Sequence, residues 1–215
     1  NGNLSSGGVV APGNSIGTLT VTGNYTQGST GTYAVEVAGT GQSDFLQVGG
    51  TATLGGTVNV YAQPGSTFAP RTTYRILNAT GGLNGTFASA TDPYPFLLSS
   101  LSYDANNTYL LLEVGGFAAA AATPTQAAVG AVLDANVNTA TGDFAQVLSA
   151  MATGVQTDAS AQYVLQSLSG NNYAGFASSL VQGAQLFMNN FAAQAGGGTP
   201  QPNRVALAEA CDVAC

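Results

Sequence analysis

The sequence predicts a stack of short β-strands, a β-solenoid, over residues 1–116 and a small α-helical segment after it. Three observations carry this reading. Short apolar runs alternate with polar residues and are broken by glycine, as strands separated by turns should be. Three stretches of the first half resemble one another: Gly17-Thr-Leu-Thr-Val-Thr-Gly23, Gly50-Thr-Ala-Thr-Leu-Gly55 and Gly56-Thr-Val-Asn-Val60. At Gly115-Gly116 the alternation gives way to Phe117 and five alanines, and apolar residues beyond Thr123-Pro124 recur at helical spacing.

The strands can be named in order. Leu19 and Val21 alternate with threonines, Tyr33, Val35 and Val37 with Ala34 and Glu36, and Val58 and Val60 with Thr57 and Asn59. Tyr74 and Ile76, then Leu110, Leu112 and Val114, continue the pattern, with breaks at Gly49-Gly50, Gly55-Gly56, Gly65 and Gly81-Gly82. A sandwich satisfies the alternation as well as a solenoid does, and the imperfect self-similarity favours the solenoid. The inward-facing folding core is expected at Leu19, Val21, Val35, Val58, Val60 and Ile76.

In the second half Val129, Val132 and Leu133 mark one amphipathic helix, and Phe144, Val147, Leu148 and Met151 a second. Thr157 is the expected N-cap of a third, with Ala161, Val164, Leu165 and Leu168 on one face and Gly170 at its end. The longest helix is expected over about residues 172–193, with Tyr173, Phe176, Leu180, Ala184, Phe187 and Phe191 as its apolar stripe. The organisation is therefore strands over 1–116, an Ala-rich linker over 117–125, helices over 126–195, and over 196–215 a Gly/Pro linker followed by a short helix.

Composition narrows the function. An apolar share of 45% suffices for a core, but only 6% of residues are charged, against about a quarter in ordinary domains. Arg71, Arg75 and Arg204 face ten acids, for a net charge of −7. That excludes the basic patch needed by nucleic acid or by an anionic lipid surface. A polar, weakly charged surface of Thr, Asn and Gly suits an extracellular stack of strands.

Gly13-Asn-Ser-Ile-Gly17 matches the G-x-S-x-G pattern of hydrolase nucleophile elbows, but Ser15 would need a histidine base and the chain has none. Glu36, Asp44, Asp92, Asp104 and Glu113 are scattered at turns or singly on strands, as solvated acids are, with no tryptophan platform for a sugar. The five Asn-x-Ser/Thr sequons, at Asn3, Asn24, Asn78, Asn84 and Asn106, follow from a composition rich in those residues. No catalytic, cofactor-binding or metal site is therefore expected.

Cys211 and Cys215 are the only cysteines. A zinc site would need two further ligands, and no histidine can supply them. A small-loop disulfide is favoured over free thiols for an exported chain, although residues four apart on a helix sit near the upper end of the bridging range. No initiating Met, signal segment, membrane-spanning apolar run or set of barrel strands occurs, so the chain is expected to be a piece of a longer polypeptide.

Pro12-Gly-Asn-Ser-Ile-Gly-Thr-Leu-Thr-Val-Thr-Gly-Asn-Tyr25 closely resembles the stretch near the passenger C-terminus of bacterial autotransporters, the type V secretion proteins. Ser43-Asp-Phe-Leu-Gln-Val48, the stretch from Gly50 to Val60, Tyr74-Arg-Ile-Leu77, Gly85-Thr-Phe87 and the strand from Thr108 to Val114 follow in the same order. Thr123-Pro-Thr-Gln-Ala-Ala-Val129, Phe144-Ala-Gln-Val-Leu148 and Leu165-Gln-Ser-Leu-Ser-Gly170 are similar to the helical segment before the membrane barrel of that family. Val205-Ala-Leu-Ala-Glu-Ala-Cys-Asp-Val-Ala-Cys215 resembles the approach to the barrel.

The resemblance implies a right-handed parallel β-helix whose terminal coils act as an autochaperone for the upstream passenger. It also implies a helical link to a downstream outer-membrane β-barrel, and partners in that barrel and the outer-membrane assembly machinery. The place of action would be the outer membrane, the cell surface or the medium after export through the periplasm. A surface adhesin or carbohydrate-binding module, marked by an exposed aromatic row, and a polysaccharide-degrading enzyme, marked by convergent carboxylates, are the alternatives.

Overall fold

A computed structural model describes residues 2–195. Three sheets are built from strands taken in rotation along the chain. The first joins β1 (Leu4–Ser6), β4 (Tyr25–Gln27), β7 (Ala52–Leu54) and β10 (Leu83–Gly85), all parallel. The second joins β2 (Val9–Val10), β5 (Thr32–Val37), β8 (Thr57–Ala62) and β11 (Ser89–Thr91), again all parallel. In the third, β3 (Thr18–Val21), β6 (Phe45–Val48) and β9 (Arg71–Ala79) are parallel, whereas β13 (Asn107–Val114) runs antiparallel to β9 and to β12 (Leu97–Tyr103).

The uniform right-handed parallel β-helix followed by a small helical segment is thus corrected. Three separate sheets form, one of them mixed, together with four helices. The cause is local: β12 and β13 are joined by three residues, and so short a connection can link only antiparallel strands. Period-two alternation is the same in both kinds of ladder, so Leu110, Leu112 and Val114 could not announce the reversal.

Alternation sets which face is buried. Tyr33, Val35 and Val37 are inaccessible on β5, opposite Val58 and Val60 on β8, while Ala34 and Glu36 between them are half-buried. In the third sheet Leu46 pairs with Leu19 on one side and Leu77 on the other. The interior also takes polar groups that find partners: the Tyr33 hydroxyl donates to the Ile76 carbonyl at 2.7 Å, and Tyr74 donates to that of Ala38 at 2.8 Å. Burial raises the pKa of both phenols, Tyr74 to about 12, and the charge of Asp44 adds to the effect at Tyr33.

After β13, α1 (Pro124–Asn136) begins with a capping box. Thr123 Oγ1 accepts from the Gln126 N–H, Gln126 Oε1 accepts from the Thr123 N–H, and Pro124 occupies the first turn. Helix α2 (Gly142–Gly154) buries Leu148, Ser149 and Ala152, and α3 (Asp158–Leu168) buries Ala161 and Leu165. Their apolar residues share one core cluster with the strands, and residues 1–169 form one compact unit. The face of α2 is turned from the one expected: Phe144 and Val147 are exposed, and Ser149 is buried because its Oγ accepts the Phe68 N–H at 2.6 Å. Beyond Gly170, α4 (Asn171–Ala195) carries no charged residue, and Leu180, Phe187 and Phe191 are exposed on it.

Candidate functional site

Each residue expected in the folding core lies in the β-rich unit. Val21, Val35, Val58, Val60 and Ile76 are buried, and Leu19 is half-buried on β3, at the edge of its sheet. Ser15 is exposed in the loop before β3, with a strand and no helix following it. Cys211 and Cys215 lie outside the described residues.

The carboxylates are occupied one by one. Buried Asp44 accepts the Gly17 N–H at 2.8 Å and the Glu36 N–H at 2.9 Å, which ties the segment before β3 to β5. Asp104 closes the turn between β12 and β13 by accepting from the backbone of Asn106 and Asn107, from the Asn107 amide and from the Tyr109 hydroxyl. Those donors hold its pKa down at about 2. Asp92 accepts the Tyr94 N–H, and partial burial raises its pKa. Glu113 pairs with Arg71 at 3.5 Å on the surface. Among the described residues no three acids, cysteines or histidines gather as metal ligands. Cavities of about 400 and 290 Å³ flank α2, and neither lining contains a carboxylate, arginine or cysteine.

The arrangement that stands out is the contrast between the two ends of the sheets. At one end β1, β2 and β3 are all edge strands, each paired on one side only. Val9 there is 71% exposed. At the other end β10, β11 and β12 are edges too, but there the third sheet finishes in the antiparallel hairpin of β12 and β13, and the turn between them reaches the first sheet. Asn106 Nδ2 donates to the carbonyls of Ala79 and Thr80, and the Ala105 carbonyl accepts the Leu83 N–H. A chain of side-chain amides braces this closure. Gln47 Nε2 donates to Asn78 Oδ1 at 2.9 Å, Asn78 Nδ2 to Asn107 Oδ1 at 2.8 Å, and Asn107 Nδ2 to Asp104.

Corners between the third and first sheets are also stacked. The Gly23 N–H donates to the Gly2 carbonyl, that of Gly50 to Gly23, and that of Gly81 to Gly50, at 2.9–3.0 Å. A Cβ on Gly50 would lie 2.1 Å from Asn24 Oδ1, and one on Gly23 would lie 2.3 Å from Asn3 Oδ1, so only glycine allows the close stacking. Sequence reasoning missed these corner asparagines and the amide chain. The repeated dipeptide Gly2-Asn3 and Gly23-Asn24 was the one available signal.

No family model matches the chain. Over 111 residues, 48% of its length, it is 35% identical to an extracellular serine protease of Serratia marcescens, of which the match spans 11%. The chain is thus distantly related to part of a secreted protein, in keeping with a secreted or cell-surface location.

Proposed function

We propose that this chain supports the folding and export of a longer bacterial polypeptide, as the autochaperone-like end of an autotransporter passenger, and performs no chemistry itself. The observation that carries the reading is the asymmetry of the sheets: at one end an antiparallel hairpin caps the third sheet and its turn bonds the edge of the first, whereas at the other all three edges are short parallel strands. Open edges present unpaired backbone groups on which a further strand forms without paying anew for a nucleus. A closed end supplies the stability from which that growth starts.

The similarity to an extracellular protein of which the match is a small part favours a module within a longer exported chain. Protease chemistry of the serine–histidine type is assigned elsewhere in such a chain, because no histidine is present here to act as base. In this reading the helical part leads to an outer-membrane β-barrel, the assembly machinery of that membrane is a partner, and the place of action is the outer membrane or cell surface.

The test is limited proteolysis of the full-length protein displayed on cells. Ile76→Ala, which hollows the core beneath β9, should leave the upstream polypeptide protease-sensitive, whereas Thr53→Ala on the exposed face of β7 should not. An upstream region that stays equally resistant in Ile76→Ala, despite a measured loss of local stability, would overturn the folding role.

A further inference from the structure

The five Asn-x-Ser/Thr asparagines look alike in the sequence, and the fold treats one of them differently. Asn3 Oδ1 accepts the Asn24 N–H, and Asn24 Oδ1 accepts the Thr51 N–H. Asn78 donates from Nδ2 to Asn107 Oδ1, and Asn106 donates from Nδ2 to the carbonyls of Ala79 and Thr80. Asn84 is exposed, and its side-chain amide has no hydrogen-bond partner among the described residues. Of the five it is also the one followed by glycine.

The backbone of that glycine is open as well. Strand β10 lies at the edge of the first sheet and pairs with β7 alone, in parallel. In such a ladder a strand turns the N–H groups of alternate residues toward its neighbour. The Ala52 N–H donates to the Gly82 carbonyl, while the Leu83 N–H points away from β7 to the Ala105 carbonyl, so the Gly85 N–H, two residues on, faces outward too. Leu83 meets an acceptor on that side, and Gly85 meets none among the described residues. Glycine is required at this place: its φ is +74°, and a Cβ on it would lie 3.0 Å from the Leu54 carbonyl oxygen.

We infer that Asn84-Gly85 is a site of spontaneous covalent modification, where the chain deamidates itself with water as its only co-reactant. The Gly85 nitrogen, losing its proton, attacks Asn84 Cγ. The new C–N bond closes a succinimide ring, and the side-chain nitrogen leaves as ammonia. Water then opens the ring at either carbonyl to give aspartate or isoaspartate, adding a negative charge to a chain already at −7. No side chain on Gly85 shields the attacking nitrogen, no hydrogen bond holds the leaving amide, and an edge strand of three residues opens locally at little cost. Isoaspartate also lengthens the backbone by a methylene at the point where β10 faces Thr53 and Leu54 of β7.

The test is to incubate the intact folded chain at neutral pH and to map its peptides by mass spectrometry after digestion in mild acid. Conversion of amide to acid should run ahead at Asn84, by about tenfold or more over Asn3, Asn24, Asn78 and Asn106, each of which must first break a hydrogen bond. Isoaspartate should accompany aspartate at position 84, and Asn84→Gln should abolish the acidic product there with no change in denaturant midpoint. Amide exchange at Leu54 should quicken in the isoaspartyl fraction and stay as in the parent in Asn84→Asp.

An Asn84 that keeps its amide in the folded chain, while it converts in the same chain unfolded in urea, would overturn the site. Aspartate without isoaspartate would overturn the ring closure, and equal conversion at all five asparagines would overturn the selection by the fold. A Leu54 amide indifferent to isoaspartate would overturn the effect on the ladder.

Discussion

The two ends of the sheets are built from the same kinds of residue and do opposite things. At the open end β1 and β2 hold three and two residues, and their outward groups include Val9. At the closed end β12 and β13 hold seven and eight residues paired along their length, with Leu97, Leu110, Leu112 and Val114 buried. The hairpin is a local contact that forms early and cheaply, whereas each parallel pairing must close a loop of some twenty or more residues, an added entropy that grows with loop length. Stability is therefore expected to be graded along the stack, greatest near the hairpin and least at β1–β3.

The largest effect should come from hollowing the closed half. Ile76→Ala removes a fully buried side chain beside β13 and should cost about 2–5 kcal/mol in denaturant unfolding. Val9→Ala at the open end should stay within about 0.5 kcal/mol of the parent. Equal costs at the two sites would erase the gradient.

Next comes the junction between strands and helices. A Cβ on Gly130 of α1 would lie 2.5 Å from the backbone of Phe117 and Ala118, so Gly130→Ala should cost about 1–3 kcal/mol. Gly154→Ala, which meets nothing within 4 Å, should be neutral or mildly stabilising. Differential scanning calorimetry of both variants makes the comparison.

A smaller change, of opposite sign, is expected at Thr108. Its hydroxyl is buried on β13 with no hydrogen-bond partner among the described residues. Thr108→Val should therefore raise stability by about 1 kcal/mol, read as a higher denaturant midpoint.

The smallest effect is confined to the hairpin turn and depends on pH. Asp104 is fully exposed, and its folded pKa of about 2 lies below its ordinary 3.8. The support it lends the turn is complete above 3.8 and lost as pH falls toward 2. Protection of the Asn106 and Asn107 amides should drop across that window, and Asp104→Asn should abolish the step. Asp92 has the opposite sign: its raised pKa means that protonation relieves a desolvated charge, so its corner should gain protection on acidification and Asp92→Asn should abolish that gain.

Much of this fold was legible. The alternation of Tyr33, Val35 and Val37 and of Val58 and Val60 located β5 and β8, because a strand with one buried face has no other pattern available. Thr157 capped α3 as expected, its hydroxyl accepting the Ser160 N–H, and Gly170 follows that helix with φ of +72°. Strand direction was not legible, since a ladder's sense depends on its connections. The turned face of α2 was hidden for another reason: a serine reads as solvent-facing until its partner, the Phe68 N–H, is known. Asn3 and Asn24 looked like sequons in a polar chain, and their shared role appears only when residues 21 apart are brought into one column.

Where β13 ends, the chain enters a clamp. Asp134 of α1 accepts the N–H groups of Phe117 and Ala118 at 3.1 and 3.0 Å, and Phe117 is inaccessible against Phe96, with ring centroids 4.7 Å apart. A pull on the chain from beyond this clamp meets Phe117 first as an anchor. Should that give way, the pull runs lengthwise along a strand bonded on both sides, so its hydrogen bonds are sheared together. Tension at Gly2 meets strands of two to four residues bonded on one side, which can be peeled singly. The molecule is thereby a mechanical diode of sorts, firm toward its helices and yielding toward its first tier.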